Sequence, residues 1–224
     1  MPNDNKLYDT LVDLSHFNDV AVADLQEHGI KGIIHKITQA TGFVDPLYAS
    51  RAEEVQRLDL LWGAYHFMSA DPVKEQFDHF LSALERHTPK ALMTLPCLDW
   101  GPDHTSGQKT ASFEQLLEMV EICYATFKKY PTIYGGYWMI DQLKDKSSDL
   151  LGKCPLWQGY YKEPLEIPTS IWKTWSIWQY TDGSTATDLF KNVDRDRFNG
   201  STTQLNEFWA SNSITYHPHG LLPA

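Results

Sequence analysis

The chain has 224 residues, of which 42% are apolar and 21% are charged, which fits one large globular domain and excludes a disordered, collagen-like or coiled-coil protein. Its formal net charge of −10 argues against a broad nucleic-acid surface and against electrostatic docking to anionic lipid. The three cysteines, Cys97, Cys123 and Cys154, include no close pair, so we expect three core residues rather than a disulfide framework or a zinc knuckle.

The amino terminus, MPNDNKLYDT, has neither the basic nor the apolar segment of a signal peptide. No apolar run is long enough to span a bilayer, so membrane insertion is not expected. We therefore expect synthesis in the cytoplasm, with any later release by another route.

The first half of the chain alternates between strand and helix patterns. Strands are predicted in TLVDLSHF, GIIHKIT, LLWGAYHFM and ALMTLPCLDW, and helices in DVAVADLQEHGI, DPLYASRAEEVQRLD, DPVKEQFDHFLSALERH and SFEQLLEMVEICYATFKKY. Asp45 is the expected N-cap of the second helix, with Pro46 at its first position. Ser112 and Gln115 fit a capping box at the start of the fourth helix.

The second half is richer in strands, and its helices are short. Four more strands are predicted in TIYGGYW, CPLWQGYY, WSIWQYT and KNVDRDRF. This order favours an α/β fold, an irregular TIM-like β/α barrel of about eight strands with helices reduced in the second half. An open doubly wound sheet is the alternative. We expect residues 1–212 to form the barrel domain and residues 213–224 to form an extended or frayed C-terminal tail.

Chemistry in a β/α barrel is placed where strands end and the following loops begin. Three acids occupy such positions on separate strands, Asp13, Asp99 and Asp194, whereas Asp196 is interpreted as a loop partner. Aromatic residues follow several of the same strands. Acids ringed by aromatics indicate a carbohydrate site, because glycosidic cleavage needs carboxyl groups and sugar rings pack on flat aromatic faces.

In order along the chain, several segments resemble the glycoside hydrolase family 25 lysozymes of the Chalaropsis type. VDLSHF resembles the opening Asp-x-Ser strand, and HKITQATGFVDPLY resembles the Lys-Ala-Thr-Glu-Gly segment with its following Asp-Pro. WGAYHF resembles Gly-Ala-Tyr-His-Phe, KEQFDHFL resembles the Glu-Gln-Ala helix, and LPCLDWG stands where the family has Asp-x-Glu. The segments PTIYGGYWMI, CPLWQGYY, WSIWQYTDG and NVDRDRFNG are similar to the later motifs.

This resemblance implies a flattened β/α barrel that cleaves the β-1,4 bond between N-acetylmuramic acid and N-acetylglucosamine in peptidoglycan. It implies a retaining reaction in which the substrate acetamido group takes part, with no metal and no organic cofactor. By position, Asp13, Asp99 and Asp194 match family acids. Residues expected to bind or support a peptidoglycan-like amino-sugar glycan are Gln39, Tyr65, Phe67, Tyr134, Trp157, Tyr160 and Trp178. Such a protein would have to be released or delivered to a cell wall.

The chain departs from the family pattern at its proton donor. The Glu of Asp-x-Glu is Gly101 here, and Gln39 stands where the family often has Glu. Glycine cannot donate a proton, and an amide does not titrate.

Three hypotheses remain open. In the first, Asp103 or His104 on the same loop replaces the missing acid. In the second, Asp99 is the acid and Asp13 or Asp194 the base. In the third, the barrel is a pseudo-enzyme that binds a glycan or a protein partner without cleaving it.

Overall fold

A computed structural model describes residues 8–103, 107–217 and 220–223 of the chain. The strands are β1 (Tyr8–Leu14), β2 (Gly32–Gln39), β3 (Phe43–Val44), β4 (Leu61–Phe67), β5 (Thr94–Asp99), β6 (Thr132–Gly135), β7 (Leu156–Gly159), β8 (Ile177–Thr181), β9 (Asp194–Phe198), β10 (Ile214–His217) and β11 (Gly220–Pro223). The helices are α1 (Val22–Glu27), α2 (Tyr48–Leu58), α3 (Val73–His87), α4 (Phe113–Phe127), α5 (Tyr137–Leu143) and α6 (Thr202–Asn212), with a short 3-10 helix at Leu151–Lys153.

Eight of the strands close into a barrel in the order β5-β4-β2-β1-β9-β8-β7-β6, with β6 pairing back onto β5. This closure confirms the predicted irregular barrel and rules out the open doubly wound sheet. Helices α1 to α4 separate the first strands, whereas no α-helix separates β7 from β8 or β8 from β9 in these fully described segments. The reduction of the helices in the second half is therefore also confirmed.

One barrel strand runs against the others. β9 is antiparallel to both β1 and β8, while the remaining barrel pairs are parallel. The register places Asp194, the first residue of β9, opposite Asp13 near the end of β1. Because its strand is reversed, Asp194 reaches the carboxyl end of the barrel from the start of a strand rather than from its tip.

Two apolar layers hold the barrel together. Strand residues that point inward, such as Leu11, Ile34 and Ile177, pack with Trp157 and with Trp209 of α6 inside the barrel. A larger cluster fills the space between the barrel and the surrounding helices. The strand alternation that separates these layers also decides which side chains face the carboxyl-end opening.

The predicted helix starts had different outcomes. Ser112 caps α4 with the complete capping box, because its hydroxyl accepts from Gln115 and the Gln115 side chain accepts from Ser112. The predicted Asp45 cap is wrong, since α2 begins at Tyr48 with Leu47 as its N-cap. The Asp45 carboxylate does accept from the Leu47 amide at 3.0 Å, but its other oxygen is turned toward His16.

After α6 the chain forms a hairpin of β10 and β11, joined to the barrel by the pairing of Ile214 with Thr94. The boundary between barrel and tail at residue 212 stays a prediction. Within the described parts of the chain, no helix has both the length and the apolar character needed to cross a membrane.

Candidate active site

A bulge in β2 brings two polar residues to the barrel interior. Lys36 pairs with Tyr65 and Gln39 pairs with Phe67, with a register shift between Lys36 and Thr38. Without this shift, strict alternation would turn residue 39 away from the face that carries Lys36. The bulge therefore turns the Gln39 side chain to the same face as Lys36, at the open end of the barrel.

The centre of that end is a small cavity of about 190 Å³, which we call the acidic pocket. It is lined by Asp13, Tyr65, Asp99, Tyr134, Trp157, Tyr161, Gln179 and Asp194. Every barrel strand except β2 contributes a residue to the lining of the acidic pocket. Tyr161 lies just after the end of β7, and the other lining residues lie within strands.

Gln179 organises one side of the acidic pocket. Its Nε2 donates to Asp13 Oδ2 at 2.7 Å, and its Oε1 accepts from the hydroxyls of Tyr134 at 2.7 Å and Tyr161 at 2.9 Å. Gly159 lies against this group, since a Cβ at that position would stand 2.8 Å from the Tyr134 hydroxyl. These contacts fix the Asp13 carboxyl and both phenols in one orientation.

The three carboxyl groups of the pocket bind protons more tightly than ordinary aspartates. Burial raises the pKa of Asp99 to about 7, with the nearby Lys36 ammonium lowering it and Asp103 raising it. Burial, followed by the charges of Asp13, Asp182 and Asp99, raises the pKa of Asp194 to about 9. Burial and the neighbouring Asp196 raise the pKa of Asp13 well above its usual range. At neutral pH this cluster therefore holds exchangeable protons.

A second, larger cavity of about 640 Å³ lies beside the acidic pocket, at the ends of β1, β2, β4 and β5. We call it the side cleft. It is lined by His16, Phe17, Lys36, Gln39, Thr41, Gly42, Phe43, Phe67, Pro102, Asp103 and Gln108. The Lys36 ammonium donates to Gln39 Oε1, and Gln39 Nε2 donates to Asp103 Oδ2 at 2.5 Å. Gln39 thus links the Lys36 cation to the Asp103 carboxylate.

Gly101 lies on the loop just beyond Asp99. A Cβ built at this position meets one neighbour within 4 Å among the described atoms, Asp99 Oδ1 at 3.9 Å. A longer side chain at residue 101 would therefore begin close to the Asp99 carboxyl. His104, the other candidate replacement acid, lies outside the described residues.

The sequence matches the family model described as "Glycosyl hydrolases family 25" over residues 12–189. The chain belongs to glycosyl hydrolase family 25. Lysozyme M1 of Streptomyces globisporus is 22% identical to it over 217 residues, which cover 87% of this chain and 69% of that relative.

Solved structures agree with this family. A muramidase from Trichobolus zukalii superposes with a TM-score of 0.71 at 26% identity, covering 87% of this chain and 95% of the other. A family 25 lysozyme from Aspergillus fumigatus superposes with a TM-score of 0.70 at 25% identity, covering 88% and 96%. The closed barrel with one antiparallel strand is thus the architecture of this family 25 chain.

Most residues predicted for a family 25 site reach the open end of the barrel. Asp13, Asp99, Asp194, Tyr65, Tyr134 and Trp157 line the acidic pocket, and Gln39, Phe67 and Asp103 line the side cleft. Two do not reach either wall. Tyr160 packs on Tyr137 with ring centroids 4.6 Å apart, and its carbonyl accepts from Trp178 Nε1 at 2.6 Å. Trp178 points outward from β8, under the Arg197 guanidinium at 5.1 Å.

Three contributors to the site were missed or misjudged from sequence. Tyr161, rather than its neighbour Tyr160, lines the acidic pocket. The Tyr161 hydroxyl donates to Gln179 Oε1, and this hydrogen bond fixes its position. Asp196 is fully buried and accepts from Trp157 Nε1 at 2.6 Å, so its interpretation as a loop partner is corrected. Asp196 lies two positions after Asp194 on the same strand, and this spacing was the signal that both face the same side.

Proposed function

We propose that this family 25 chain is a lysozyme-type glycoside hydrolase. It would cleave the β-1,4 linkage between N-acetylmuramic acid and N-acetylglucosamine in peptidoglycan. Asp99 would be the proton donor. The observation that carries this proposal is the state of Asp99, a buried carboxyl at the end of β5 with a pKa raised to about 7. A general acid works best when its pKa lies near the working pH.

Asp103 is less suited to that role. Its carboxylate accepts a 2.5 Å hydrogen bond from Gln39, and the positive charge of Lys36 is close enough to interact with it. Asp103 also lines the side cleft rather than the acidic pocket.

In the proposed reaction, the Asp99 carboxyl gives its proton to the glycosidic oxygen as the bond from that oxygen to the anomeric carbon breaks. The bonding electrons leave with the oxygen, which departs as a sugar hydroxyl. Family membership supports attack on the anomeric carbon by the substrate's own acetamido oxygen. The carbonyl oxygen of a second carboxyl group, Asp13 or Asp194, would accept a hydrogen bond from the acetamido N–H. Water then opens this intermediate, and the proton that it loses returns to Asp99.

The test is release of reducing ends from purified peptidoglycan. Asp99→Asn should lower the rate by about 10²–10⁴-fold, because the amide cannot supply a proton. The rate of the unaltered protein should fall as the pH rises through about 7, since Asp99 then loses its proton. Asp141→Asn, at an exposed ion pair with Lys144, is the control and should leave the rate unchanged. An unaltered rate in Asp99→Asn would refute the role of Asp99.

A glycan-binding module without cleavage is the second candidate function. Gly101 favours it, because the position of the family's proton donor carries no side chain. In that case peptidoglycan fragments should bind saturably, Asp99→Asn should keep most of the affinity, and no reducing ends should appear between pH 4 and 9. Removal of the half-exposed Tyr161 ring at the pocket wall should weaken the binding.

A further inference from the structure

Asp196 lies beneath the acidic pocket, and the proposed reaction gives it no part. It is fully buried on β9, opposite Leu11 of β1 and Gln179 of β8. Asp194 pairs with Asp13, so Asp196 lies one inward-facing position deeper in the barrel and is a diagonal neighbour of Asp13. A carboxyl in this position acts on the reaction through the residues that it contacts.

The contacts of Asp13 show that this carboxyl is not a simple carboxylate. Its Oδ2 accepts from Gln179 Nε2 at 2.7 Å, and its carboxyl group also forms a hydrogen bond with Asp196. Because ionised carboxylates only accept hydrogen bonds, a hydrogen bond between two carboxyl groups needs a proton on one of them. The pair therefore holds a proton.

The Trp157 indole shows which carboxyl is the anion. Its Nε1 donates to Asp196 Oδ1 at 2.6 Å, and an indole N–H can only donate. A hydrogen bond of this kind is stronger when the acceptor is ionised. The hydrogen bond to Asp196 is also one of the causes that raise the pKa of Asp13, which means that it favours a proton on Asp13. Asp196 is thus the anion of the pair and Asp13 the acid.

The surroundings limit the pair to one negative charge. Burial is the first cause of the raised pKa of Asp13, and the charges of Asp196 and Asp99 add to it. Two carboxyl groups in contact share one proton, because each charge disfavours the other. The titratable groups that face the pair from other parts of the barrel wall are also acids: Tyr65, Cys97, Asp99, Tyr134, Tyr161 and Asp194.

We propose that Asp196 is a positioning residue, which shares one proton with Asp13 and so presents a neutral Asp13 carboxyl to the acidic pocket. The carbonyl oxygen of Asp13 would then accept from the substrate acetamido N–H, a role that falls to Asp13 rather than Asp194. When the acetamido oxygen attacks the anomeric carbon, the acetamido nitrogen gains positive charge. The buried negative charge of the pair stabilises it while the shared proton stays within the pair. This role in cleavage rests on the proposed function.

Carbon NMR of the full chain, with isotope label in the aspartate carboxyl groups, measures protonation without any substrate. The Asp13 signal is assigned by its loss in Asp13→Asn. At neutral pH it should have the chemical shift of a protonated carboxyl in the unaltered protein. Over a pH titration the Asp13 and Asp196 signals should move together, because the pair titrates as one unit. A carboxylate signal for Asp13 at neutral pH, or independent titrations, would overturn the proposal.

Asp196→Asn separates proton sharing from shape. The new amide oxygen still accepts from Trp157, but the amide nitrogen offers Asp13 a donor where Asp196 offered an acceptor. The Asp13 signal should therefore move to that of an ionised carboxylate at neutral pH. A signal that stays at the protonated position would contradict a shared proton.

Asp194→Asn is the matched control, because Asp194 is on the same strand and pairs with Asp13. It makes the same chemical change but leaves the partner of the shared proton in place. The Asp13 signal should stay at the protonated position. Equal shifts in Asp194→Asn and Asp196→Asn would indicate a general effect of charge and overturn the role of Asp196.

Reducing-end release from peptidoglycan tests the role in cleavage. Asp196→Ala should lower the rate about 10²-fold, because Asp13 loses the group that orients it. Asp196→Asn keeps a hydrogen-bonding partner of the same shape and should retain most of the rate, and equal losses in the two variants would refute positioning. A shared proton without any cleavage would uphold the pair and refute the hydrolase function. Cleavage by a protein whose Asp13 is ionised would refute the pair and leave the hydrolase function standing.

Discussion

Gly101 lies close to the Asp99 carboxyl, since a Cβ at this position would stand 3.9 Å from Asp99 Oδ1. The resemblance to family 25 leads us to expect a glutamate here, whereas the chain has a glycine with no side chain beside the Asp99 carboxyl. Asp99 is buried and already has a pKa of about 7, so it is suited to proton donation without help from residue 101. The residue also offers a direct test of whether the rest of the site is competent.

Gly101→Glu should raise the rate of reducing-end release from peptidoglycan by about 10²–10⁴-fold if the missing carboxyl limits the reaction. The new side chain has room to enter, because its Cβ would meet only Asp99 Oδ1 at 3.9 Å among the described atoms. Gly101→Gln is the matched control, with the same shape and no proton to give, and should stay at the level of the unaltered protein. Equal rates for the two variants would show that another defect limits cleavage.

Individual site residues could be predicted from sequence when they followed a strand directly. Asp13 and Asp99 were predicted in this way, because each lies near the end of an apolar strand pattern, and both line the acidic pocket. Tyr160 and Trp178, predicted to line or support the groove, line neither cavity, because the direction of a strand side chain depends on register, which neighbouring strands set. The contribution of Gln39 depends on the bulge in β2, and nothing in its local sequence shows that the register shifts there.

At the scale of elements, the direction of β9 decides how the third acid reaches the pocket. The order of strands could be predicted from the alternating patterns, because most barrel strands contain several buried apolar residues, although β9 contains only Phe198. The direction of each strand could not be predicted, because the loop before a parallel strand and the loop before an antiparallel strand can each be short or long. The segment between β8 and β9, residues 182–193, contains no α-helix. The chain turns back within this segment, so β9 runs antiparallel to β8 and Asp194 pairs with Asp13.

The capping box of α4 gives a prediction for one element. Ser112→Ala removes the hydroxyl that accepts from the Gln115 amide at 3.2 Å, so the free energy of unfolding should fall by about 1 kcal/mol. Gln115→Glu keeps an acceptor for the Ser112 amide but loses the hydrogen bonds that Gln115 Nε2 donates to the carbonyls of Ala70 and Asp71 at 3.2 and 3.1 Å, so the free energy of unfolding should fall in this variant as well. Urea unfolding measures both changes, with Asp141→Asn as the control at an exposed ion pair. An unchanged free energy of unfolding in Ser112→Ala would contradict this account.

At the scale of the whole molecule, exposed apolar side chains are concentrated around the open end of the barrel. Phe17 and Phe43 lie at the side cleft, whereas Tyr161 lies at the acidic pocket with Tyr137 next to it, where the Tyr137 hydroxyl accepts from the Tyr161 amide at 2.8 Å. All four are more than a third exposed. Exposed aromatics at both cavities suit the proposed glycan substrate, because flat aromatic faces can pack on sugar rings.

The same three acids should make the fold less stable as the pH rises. The pKa of Asp194 is about 9 in the folded protein against an ordinary value of 3.8, so between these values the folded state binds more protons than the unfolded state. The free energy of unfolding contributed by this group is therefore complete below pH 4 and is lost as the pH rises toward 9. Asp99, with its folded pKa of about 7, adds a loss in the same direction over a narrower range.

Asp194→Asn should therefore stabilise the protein at high pH while it impairs the site, as expected where function keeps a strained group. At pH 9 its free energy of unfolding should exceed that of the unaltered protein by on the order of 1–2 kcal/mol, because the buried charge is gone, whereas at pH 4 the two should differ little. Urea unfolding at pH 4, 7 and 9 measures this difference, with Asp141→Asn as the control for loss of an exposed carboxylate. The free energies of unfolding of Asp194→Asn and the unaltered protein should diverge as the pH rises. If they do not, the surroundings do not keep the Asp194 carboxyl protonated.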